Sequence, residues 1–268
     1  MSDLSINPTE ILQINPSIGE TGNLHIYLPA TEDNDLKPFV LGIHGGGWSN
    51  GDQTSYAHIV PVFFSLNVGV VLTSYRKIPD HPFPAAYDDL IHVLGWLAQH
   101  GKEHGLDTGR CMLFGSSAGG HLAMLLATRA TAEDALRPHL CGVVECCGIM
   151  DLVDQFAWDH THERKMTQNF LGATPDEAPD LYRLASPIAH VHAKMPPVWM
   201  THGDADIVVP VEQSRKMVKR LKEVGVQPVY HENPEVGHSM RLGDPPRLVF
   251  QEELLAFAKQ VMHGPSCA

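Results

Sequence analysis

Gly115-Ser116-Ser117-Ala118-Gly119-Gly120 follows the apolar run Cys111–Phe114 and precedes the helix-forming stretch His121–Arg129. A chain that reverses from a strand into a helix within so few residues forces the central residue of the turn to positive φ. Glycine two positions before and two positions after that residue lets the neighbouring backbones pass closely. Only the second serine has both flanking glycines, so the turn predicts Ser117, and not Ser116, as an exposed nucleophile at a helix N-terminus.

Outward from this turn, short apolar runs alternate with helical patterns. Strands are predicted at Leu24–Leu28, Phe39–Ile43, Val68–Leu72, Cys111–Phe114, Gly142–Cys146, Val198–Thr201 and Val226–His231, and helices at Ala85–His100, His121–Arg129, Val211–Val224 and Pro245–Met262. Near-continuous apolar runs are typical of parallel strands buried on both faces. The alternation predicts an α/β protein with a mostly parallel, doubly wound sheet. We expect one domain over residues 1–268, with a polar, cap-like helical insertion at 150–195 and a helix signal at 162–171.

Composition excludes several classes of function. The 268 residues are 43% hydrophobic and 19% charged, and 31 acidic against 19 basic residues give a net charge of −12. An acidic chain gains nothing from the release of phosphate counterions, so we expect no nucleic-acid partner. No apolar stretch approaches the length of a membrane span, and the polar first 20 residues do not resemble a signal peptide, which predicts a cytoplasmic location. Five cysteines without a spaced framework indicate core packing and no disulfide scaffold.

A second motif, His44-Gly45-Gly46-Gly47-Trp48, directly follows the strand predicted at Phe39–Ile43. Three consecutive glycines fit a flexible loop, a phosphate cradle or an oxyanion hole. A Walker loop is excluded because its Gly-x-x-x-x-Gly-Lys pattern does not occur. We predict an oxyanion hole formed by the N–H groups of Gly46, Gly47 and Ala118, the residue after the predicted nucleophile. His44 is expected to hold the loop and not to act as a base.

The third motif comprises Asp206, after the strand predicted at Val198–Thr201, and His238, after the strand predicted at Val226–His231. The order Ser117, Asp206, His238 predicts a catalytic triad in which His238 removes the Ser117 proton and Asp206 orients the imidazole. Asp204 is the competing carboxylate and is expected to be structural. All three positions follow predicted strands, at the edge where open α/β sheets build ligand sites.

With these motifs, the sequence resembles the α/β-hydrolase fold serine esterases. Within that fold it is most similar to the feruloyl/acetyl-xylan esterase-like and hormone-sensitive-lipase-like groups, and Trp48 favours the former. The strings that support the resemblance are His44–Trp48, Ser74–Arg76, Asp80–Ala86 with Asp88 and Asp89, Gly115–Gly120, Ser186–Ile188, His202–Asp206 and Gly237–His238. The resemblance implies Ser117 as nucleophile, Asp206 as acid and His238 as base. Kynurenine-formamidase-like enzymes share the His-Gly-Gly-x-Trp pattern, so amide substrates stay open.

The remaining candidate residues have weaker signals. Substrate-binding candidates are Trp48 and Ser116, beside the two glycine motifs, and Phe156 and Trp158 in the insertion. The histidine and aspartate pairs of the insertion (Asp159, His160 and His162; His190 and His192) suggest a metal, but surface histidines are expected there and no metal is predicted. Glu145 is an unusual carboxylate inside an apolar run. It is paired, has a shifted pKa or faces the site.

These features together predict a carboxylic ester hydrolase acting on small-molecule esters with short acyl chains on aryl, alkyl or sugar alcohols. No cofactor is expected, and a homo-oligomer is possible. An arylformamidase or amidase would use the same triad. A prolyl-oligopeptidase-type peptidase is disfavoured because a propeller domain does not fit this length. A non-catalytic binding protein ranks last because Ser117 and His238 are both present.

Overall fold

The computed structural model describes residues 6–30, 35–129, 138–238 and 248–264. Within these ranges the strands are β1 (Glu10–Gln13), β2 (Asn23–Tyr27), β3 (Lys37–Ile43), β4 (Gly69–Thr73), β5 (Leu106–Ser116), β6 (Leu140–Cys146), β7 (Val198–Gly203) and β8 (Val229–Asn233). The α-helices are α1 (Val60–Phe64), α2 (Ala85–His100), α3 (Ala118–Arg129), α4 (Leu152–Thr161), α5 (Met166–Leu171), α6 (Pro179–Ala185), α7 (Glu212–Glu223) and α8 (Leu248–His263).

The strands form one sheet in the order β1-β2-β4-β3-β5-β6-β7-β8. Strands β3 to β8 run parallel, as their apolar runs predict. The same prediction is wrong for β2, which pairs antiparallel with both β1 and β4. One end of β2 alternates between half-buried and buried positions, a pattern that suits an antiparallel strand near a sheet edge.

Two apolar layers cover the sheet because alternate side chains of each strand point to opposite faces. In β3, Phe39 and Leu41 pack with the apolar side chains of α2, α3 and α7. Val40, between them, packs on the other face with side chains from α1 and α8, such as Phe63 and Phe257. This is the doubly wound arrangement that the alternation of strands and helices predicts.

The predicted helix boundaries hold best where apolar spacing is regular. The predicted helix Ala85–His100 coincides with α2, whereas the strand predicted from Val226 begins only at Val229, because Val226 still closes the end of α7 by donating its N–H to the Leu221 carbonyl. The strand β1 has no counterpart among the predictions. The first three residues of the helix predicted at 245–262 lie outside the described residues, as does Cys267.

The segment between β6 and β7 holds α4, α5, α6 and a 3₁₀ helix at Pro187–His190. The helix signal at 162–171 is wrong in its first part, because α4 ends at Thr161 and α5 begins at Met166. Asp159 joins the two helices. Its buried carboxylate accepts hydrogen bonds from the N–H (2.9 Å) and hydroxyl (2.6 Å) of Thr167 and from Gln155 Nε2 (2.9 Å), which leaves it unsuited to the metal role considered above. None of the helices in the described ranges combines the length and hydropathy of a membrane crossing.

Candidate active site

Ser117 occupies a sharp corner between β5 and α3. Its φ is +54°, the left-handed conformation predicted for this turn. A Cβ atom on Gly115 would collide with the Gly119 carbonyl, and one on Gly119 would collide with the Ile43 carbonyl at the end of β3. The N–H of Ser117 donates to the Cys146 carbonyl of β6 at 2.8 Å. Both flanking glycines are therefore required for the backbone to turn between its neighbours.

The three side chains of the predicted triad meet at the carboxyl edge of the sheet. His238 Nε2 lies 2.9 Å from Ser117 Oγ, and His238 Nδ1 lies 2.7 Å from Asp206 Oδ2. Because an ionised carboxylate only accepts hydrogen bonds, Nδ1 carries the proton and Nε2 is free to accept the proton of the serine. The imidazole is partly exposed and the Asp206 carboxylate is fully buried. This arrangement has the geometry of a serine nucleophile with an oriented general base.

Asp206 is held as an anion despite its burial. Burial raises the pKa of this carboxyl, but hydrogen bonds from His202 and His238 and from the N–H of Val209 outweigh it and lower the pKa below its usual range. Oδ1 accepts the N–H groups of Val208 (2.8 Å) and Val209 (2.9 Å), and Oδ2 faces His238 and His202 Nε2, the latter at 3.2 Å. These partners fix the orientation of the Asp206 carboxylate. The sequence does not predict a contact between His202 and Asp206, because the string His202–Asp206 assigns no role to this imidazole.

Asp204, the competing carboxylate, serves the loop that carries His238. It is exposed, and its Oδ1 accepts the N–H of Glu235 at 2.6 Å. The structure gives it no hydrogen bond to the imidazole. The structural role expected for Asp204 agrees with this contact.

The glycine loop after β3 lies directly against the Ser117 corner. A Cβ on Gly45 would lie 2.8 Å from the Ser116 carbonyl and 3.4 Å from Ser117 Cβ. Gly46, Gly47 and Trp48 all have positive φ (108°, 58° and 58°). The Gly46 carbonyl is turned back into the loop, where it accepts the N–H groups of Ser49 (3.1 Å) and Asn50 (3.0 Å). Gly45, which directly precedes the two glycines of the predicted oxyanion hole, thus lies next to the candidate nucleophile.

His44 anchors this loop. Its Nε2 lies 2.9 Å from Ser74 Oγ, its Nδ1 lies 2.8 Å from the Gly45 carbonyl, and its ring stacks on Tyr75 with centroids 4.5 Å apart. Tyr75 in turn donates its hydroxyl to the His44 carbonyl at 3.0 Å. Burial lowers the pKa of His44 to about 4, so it is neutral at physiological pH. These contacts agree with the expected anchoring role.

Trp48 does not reach the substrate side of the site. Its side chain is fully buried, stacks on Phe170 of α5 with centroids 4.1 Å apart, and donates Nε1–H to His121 Nδ1 at 3.2 Å. The His121 Nε2–H donates onward to the Ala185 carbonyl at 2.8 Å, and burial lowers the pKa of His121 to about 4. The indole therefore pins the glycine loop to α3 and the insertion. Direct substrate contact by Trp48 does not fit this enclosure.

The other substrate-binding candidates lie in different settings. The Ser116 hydroxyl lies 2.5 Å from the buried Tyr56 hydroxyl, which also accepts the Ser116 N–H at 2.9 Å, so this side chain is fixed from below. Phe156 is half-buried and packs edge-on against Tyr182. Trp158 is also half-buried, and its Nε1–H donates to the Ile207 carbonyl at 3.2 Å.

One residue of the insertion that the sequence did not single out lies over the glycine loop. Met166, at the start of α5, places its Sδ 3.5 Å from the position of a Cβ on Gly47. Its side chain is half-buried. Met166 therefore packs against the glycine loop at a predicted oxyanion-hole residue.

Glu145 lies fully buried in β6, beneath the site. Its Oε1 accepts the N–H of Gly148, and within the described residues Oε2 has no hydrogen-bond partner. Burial raises the pKa of this carboxyl to about 7, although His202 and the Gly148 N–H oppose the shift. Of the three possibilities considered for Glu145, the shifted pKa is the one its surroundings produce.

Solved structures similar to this chain support the predicted fold. A truncated carbohydrate esterase from gut microbiota superposes with a TM-score of 0.81 at 21% identity, over 96% of this chain and 100% of that one. An acetyl ester-xyloside bifunctional hydrolase from Caldicellulosiruptor lactoaceticus superposes with a TM-score of 0.79 at 22% identity, over 97% and 98% of the two chains. The predicted α/β-hydrolase fold is confirmed.

Sequence comparison adds family membership. The probable carboxylic ester hydrolase LipM of Mycobacterium tuberculosis is 30% identical over 240 residues, which are 84% of this chain and 56% of that protein. The chain thus spans little more than half the length of this curated relative. The model of the BD-FAE family matches residues 24–221, which include the glycine loop, the Ser117 corner and Asp206. By this match, and in agreement with the resemblance of its motifs, the chain belongs to the BD-FAE family.

Proposed function

We propose that this protein hydrolyses small carboxylic esters through an acyl-enzyme intermediate on Ser117. The observation that carries the proposal is the continuous contact from Ser117 Oγ through both nitrogens of His238 to the buried Asp206, at 2.9 Å and 2.7 Å. A serine hydroxyl is a weak nucleophile until a base in hydrogen-bond reach takes its proton. The relatives and solved structures named as esterases support the ester as substrate class.

In the first half of the reaction, Ser117 Oγ attacks the ester carbonyl as its proton passes to His238 Nε2. The carbonyl oxygen becomes an oxyanion, which the N–H groups of Gly46, Gly47 and Ala118 receive. One donor of this kind typically lowers the barrier by about 3 kcal/mol. Asp206 stabilises the imidazolium that forms. The alcohol then leaves with the proton from His238.

In the second half, His238 takes a proton from water as the water attacks the acyl-enzyme, and Ser117 regains its proton as the acid departs. We assign the space above the glycine loop to short acyl chains or to a compact aryl or sugar alcohol. The support is the position of Met166 next to Gly47, which bounds that space from the insertion. In this proposal residues 150–195 act as a cap, with Phe156 and Trp158 at its substrate side.

The substrate class is tested with p-nitrophenyl esters of increasing acyl length, methyl ferulate and acetylated xylan, assayed beside a formyl-aniline. We expect the highest kcat/KM with acetyl or propionyl esters. Faster hydrolysis of the formyl-aniline than of the matched aryl ester would replace the esterase proposal with a formamidase using the same triad.

The nucleophile is tested by labelling with a fluorophosphonate followed by peptide mapping. We expect one modified residue, Ser117, and loss of the label in the Ser117→Ala variant. Labelling elsewhere, or hydrolytic activity that survives this substitution, would contradict the mechanism.

A further inference from the structure

A third ligating side chain lies beside the acid end of the triad. Within the described residues, Cys147, Asp206 and His238 form a group in which a thiol sulfur, a carboxylate oxygen and a ring nitrogen all lie within 4.8 Å of one another. Cys147 and Asp206 are buried, and His238 is partly exposed. The sequence indicated Cys147 only as core packing.

The backbone conformation of Cys147 places its thiol against this group. Cys147 has φ +45°, and its N–H donates to the Thr201 carbonyl of β7 at 2.9 Å. Its Sγ lies 3.6 Å from the main-chain carbonyl of His238, which accepts the thiol proton. The sulfur is therefore held against the same loop that carries the imidazole.

Thiolate sulfur, imidazole nitrogen and carboxylate oxygen are the three ligand types that Zn²⁺ takes in proteins, and an open fourth position is common. We propose that Cys147, Asp206 and His238 form a binding site for Zn²⁺, and that Zn²⁺ bound there inhibits the enzyme. The site is not a cofactor site, because the ion occupies the same imidazole that the reaction needs.

The movements that the site requires are small. Zinc–ligand bonds of about 2.0–2.3 Å at tetrahedral angles separate the donor atoms by about 3.3–3.7 Å. Donors that now lie within 4.8 Å must close by about 1 Å, and Asp206 Oδ2 and His238 Nδ1, now 2.7 Å apart, must open by less than that. The partly exposed imidazole of His238 is the ligand with room to make these movements, whereas the Val208 and Val209 N–H groups hold Asp206 in place.

The protons balance with one released for each ion bound. The Cys147 thiol loses its proton to solvent, since a coordinating thiol is deprotonated by the metal even where burial raises its pKa, as it does here. Zinc takes the place of the proton on His238 Nδ1, and that proton appears on Nε2. An Nε2–H cannot accept the proton of Ser117, so bound zinc would stop the first step. This inhibitory part rests on the proposed function, whereas binding itself does not.

Binding is tested by calorimetric titration of the chelator-treated full chain with ZnCl₂. We expect one ion per chain, one proton released per ion, and at least tenfold weaker binding in both Cys147→Ser and Cys147→Ala. The matched control is Cys141→Ser, a half-buried cysteine of β6, which should bind as the parent does. With CoCl₂ the parent should show a thiolate-to-cobalt absorption band in the near-ultraviolet. Unchanged zinc affinity in folded Cys147 variants, or a cobalt complex without the thiolate band, overturns the proposal.

Inhibition is measured as the ratio of rates with and without ZnCl₂, so that each variant is its own reference. The parent and Cys141→Ser should lose most of their activity at zinc concentrations that leave both Cys147 variants at least tenfold less sensitive, and MgCl₂ should have no effect. Equal zinc sensitivity in all variants overturns the proposal. An inactive parent in metal-free buffer would contradict the proposed function and leave the binding result standing.

Discussion

Two neighbouring strands of the sheet end in the same backbone corner. After β5, Ser117 has φ +54° and donates its N–H to the Cys146 carbonyl of β6 at 2.8 Å. After β6, Cys147 has φ +45° and donates its N–H to the Thr201 carbonyl of β7 at 2.9 Å. Each corner thus carries a nucleophilic atom at the carboxyl edge of the sheet, one strand apart.

The two corners differ in the groups that their side chains contact. The Ser117 hydroxyl is half-buried and lies against His238 Nε2, the nitrogen that accepts a proton. The Cys147 thiol lies near the Asp206 carboxylate and the His238 ring. Burial, together with nearby Cys146, Glu145 and Asp206, raises the pKa of this thiol well above the usual value. A strained corner alone does not therefore produce a reactive group. The partner of the side chain decides whether the corner can catalyse a reaction.

The largest effect is expected from removing the hydroxyl of the first corner. Ser117→Ala should lower kcat by about 10⁶-fold, the typical cost of losing a serine nucleophile. The measurement is steady-state hydrolysis of p-nitrophenyl acetate. Ser116→Ala, one residue away and bonded to Tyr56, should still label with a fluorophosphonate. If the Ser116 variant failed to label while the Ser117 variant labelled, the assignment of the corner would be reversed.

Asp206→Asn should lower kcat by about 10⁴-fold at neutral pH while the fold is retained. The Val208 and Val209 N–H groups hold the oxygen of the new amide at the Oδ1 position, so its NH₂ group must face His238. The imidazole then accepts at Nδ1 and carries its proton on Nε2, which is the wrong tautomer for a base. Asp204→Asn is the matched control and should lose less than tenfold. Similar losses in both variants would remove the distinct role of Asp206.

The sequence carries local signals for the first corner and for the triad. Glycines flank Ser117 because backbone carbonyls occupy the space of a Cβ, and this requirement is visible as a motif in the chain. Asp206 and His238 each follow a recognisable apolar run. The order of strands in a parallel sheet then brings such positions together at one edge.

The second corner has no such signal. Cys147 follows an apolar run and is itself compatible with core packing, so only the order β5-β6-β7-β8 reveals that it lies beside Asp206. The burial of Trp48 could not be predicted from the sequence for a related reason. Its burial depends on Phe170, and the docking of the irregular insertion onto the glycine loop cannot be read from periodicity.

The third expected effect concerns Glu145, whose carboxyl contacts the backbone directly after the Cys147 corner. Glu145 accepts the Gly148 N–H, directly after Cys147, and its pKa is raised from 4.5 to about 7. Since the folded protein holds this proton more tightly than the unfolded chain, Glu145 favours folding below about pH 4.5 and loses that contribution as pH rises to about 7. Glu145→Gln keeps an acceptor and does not titrate. Between pH 5 and pH 8 the variant should gain about 2 to 3 kcal/mol relative to the parent in urea unfolding.

Glu232→Gln provides a control of opposite sign. The pKa of Glu232 is lowered, chiefly by its hydrogen bond from Arg215, so its contribution to stability is present at high pH and is lost as pH falls. The variant should be less stable than the parent by an amount that stays nearly constant from pH 5 to pH 8 and shrinks as pH falls below about 4.5. An unfolding free energy difference between the Glu145 variant and the parent that stays constant with pH would show that Glu145 is ionised in the folded state.

The smallest expected effect concerns Met166 and the length of acyl chain that the site accepts. Met166→Ala removes the side chain beside Gly47, so the space above the glycine loop should accept longer chains. The expected change is about a tenfold rise in the ratio of kcat/KM for octanoyl over acetyl p-nitrophenyl esters, the size typical of altered hydrophobic pockets. Met195→Ala, which removes a buried methionine of the same insertion, should lower stability and leave the ratio unchanged. Equal changes in both variants would mean that loosening of the insertion, and not the wall at Gly47, sets chain length. An unchanged ratio in the Met166 variant would place the acyl chain on the other side of Ser117, away from α5.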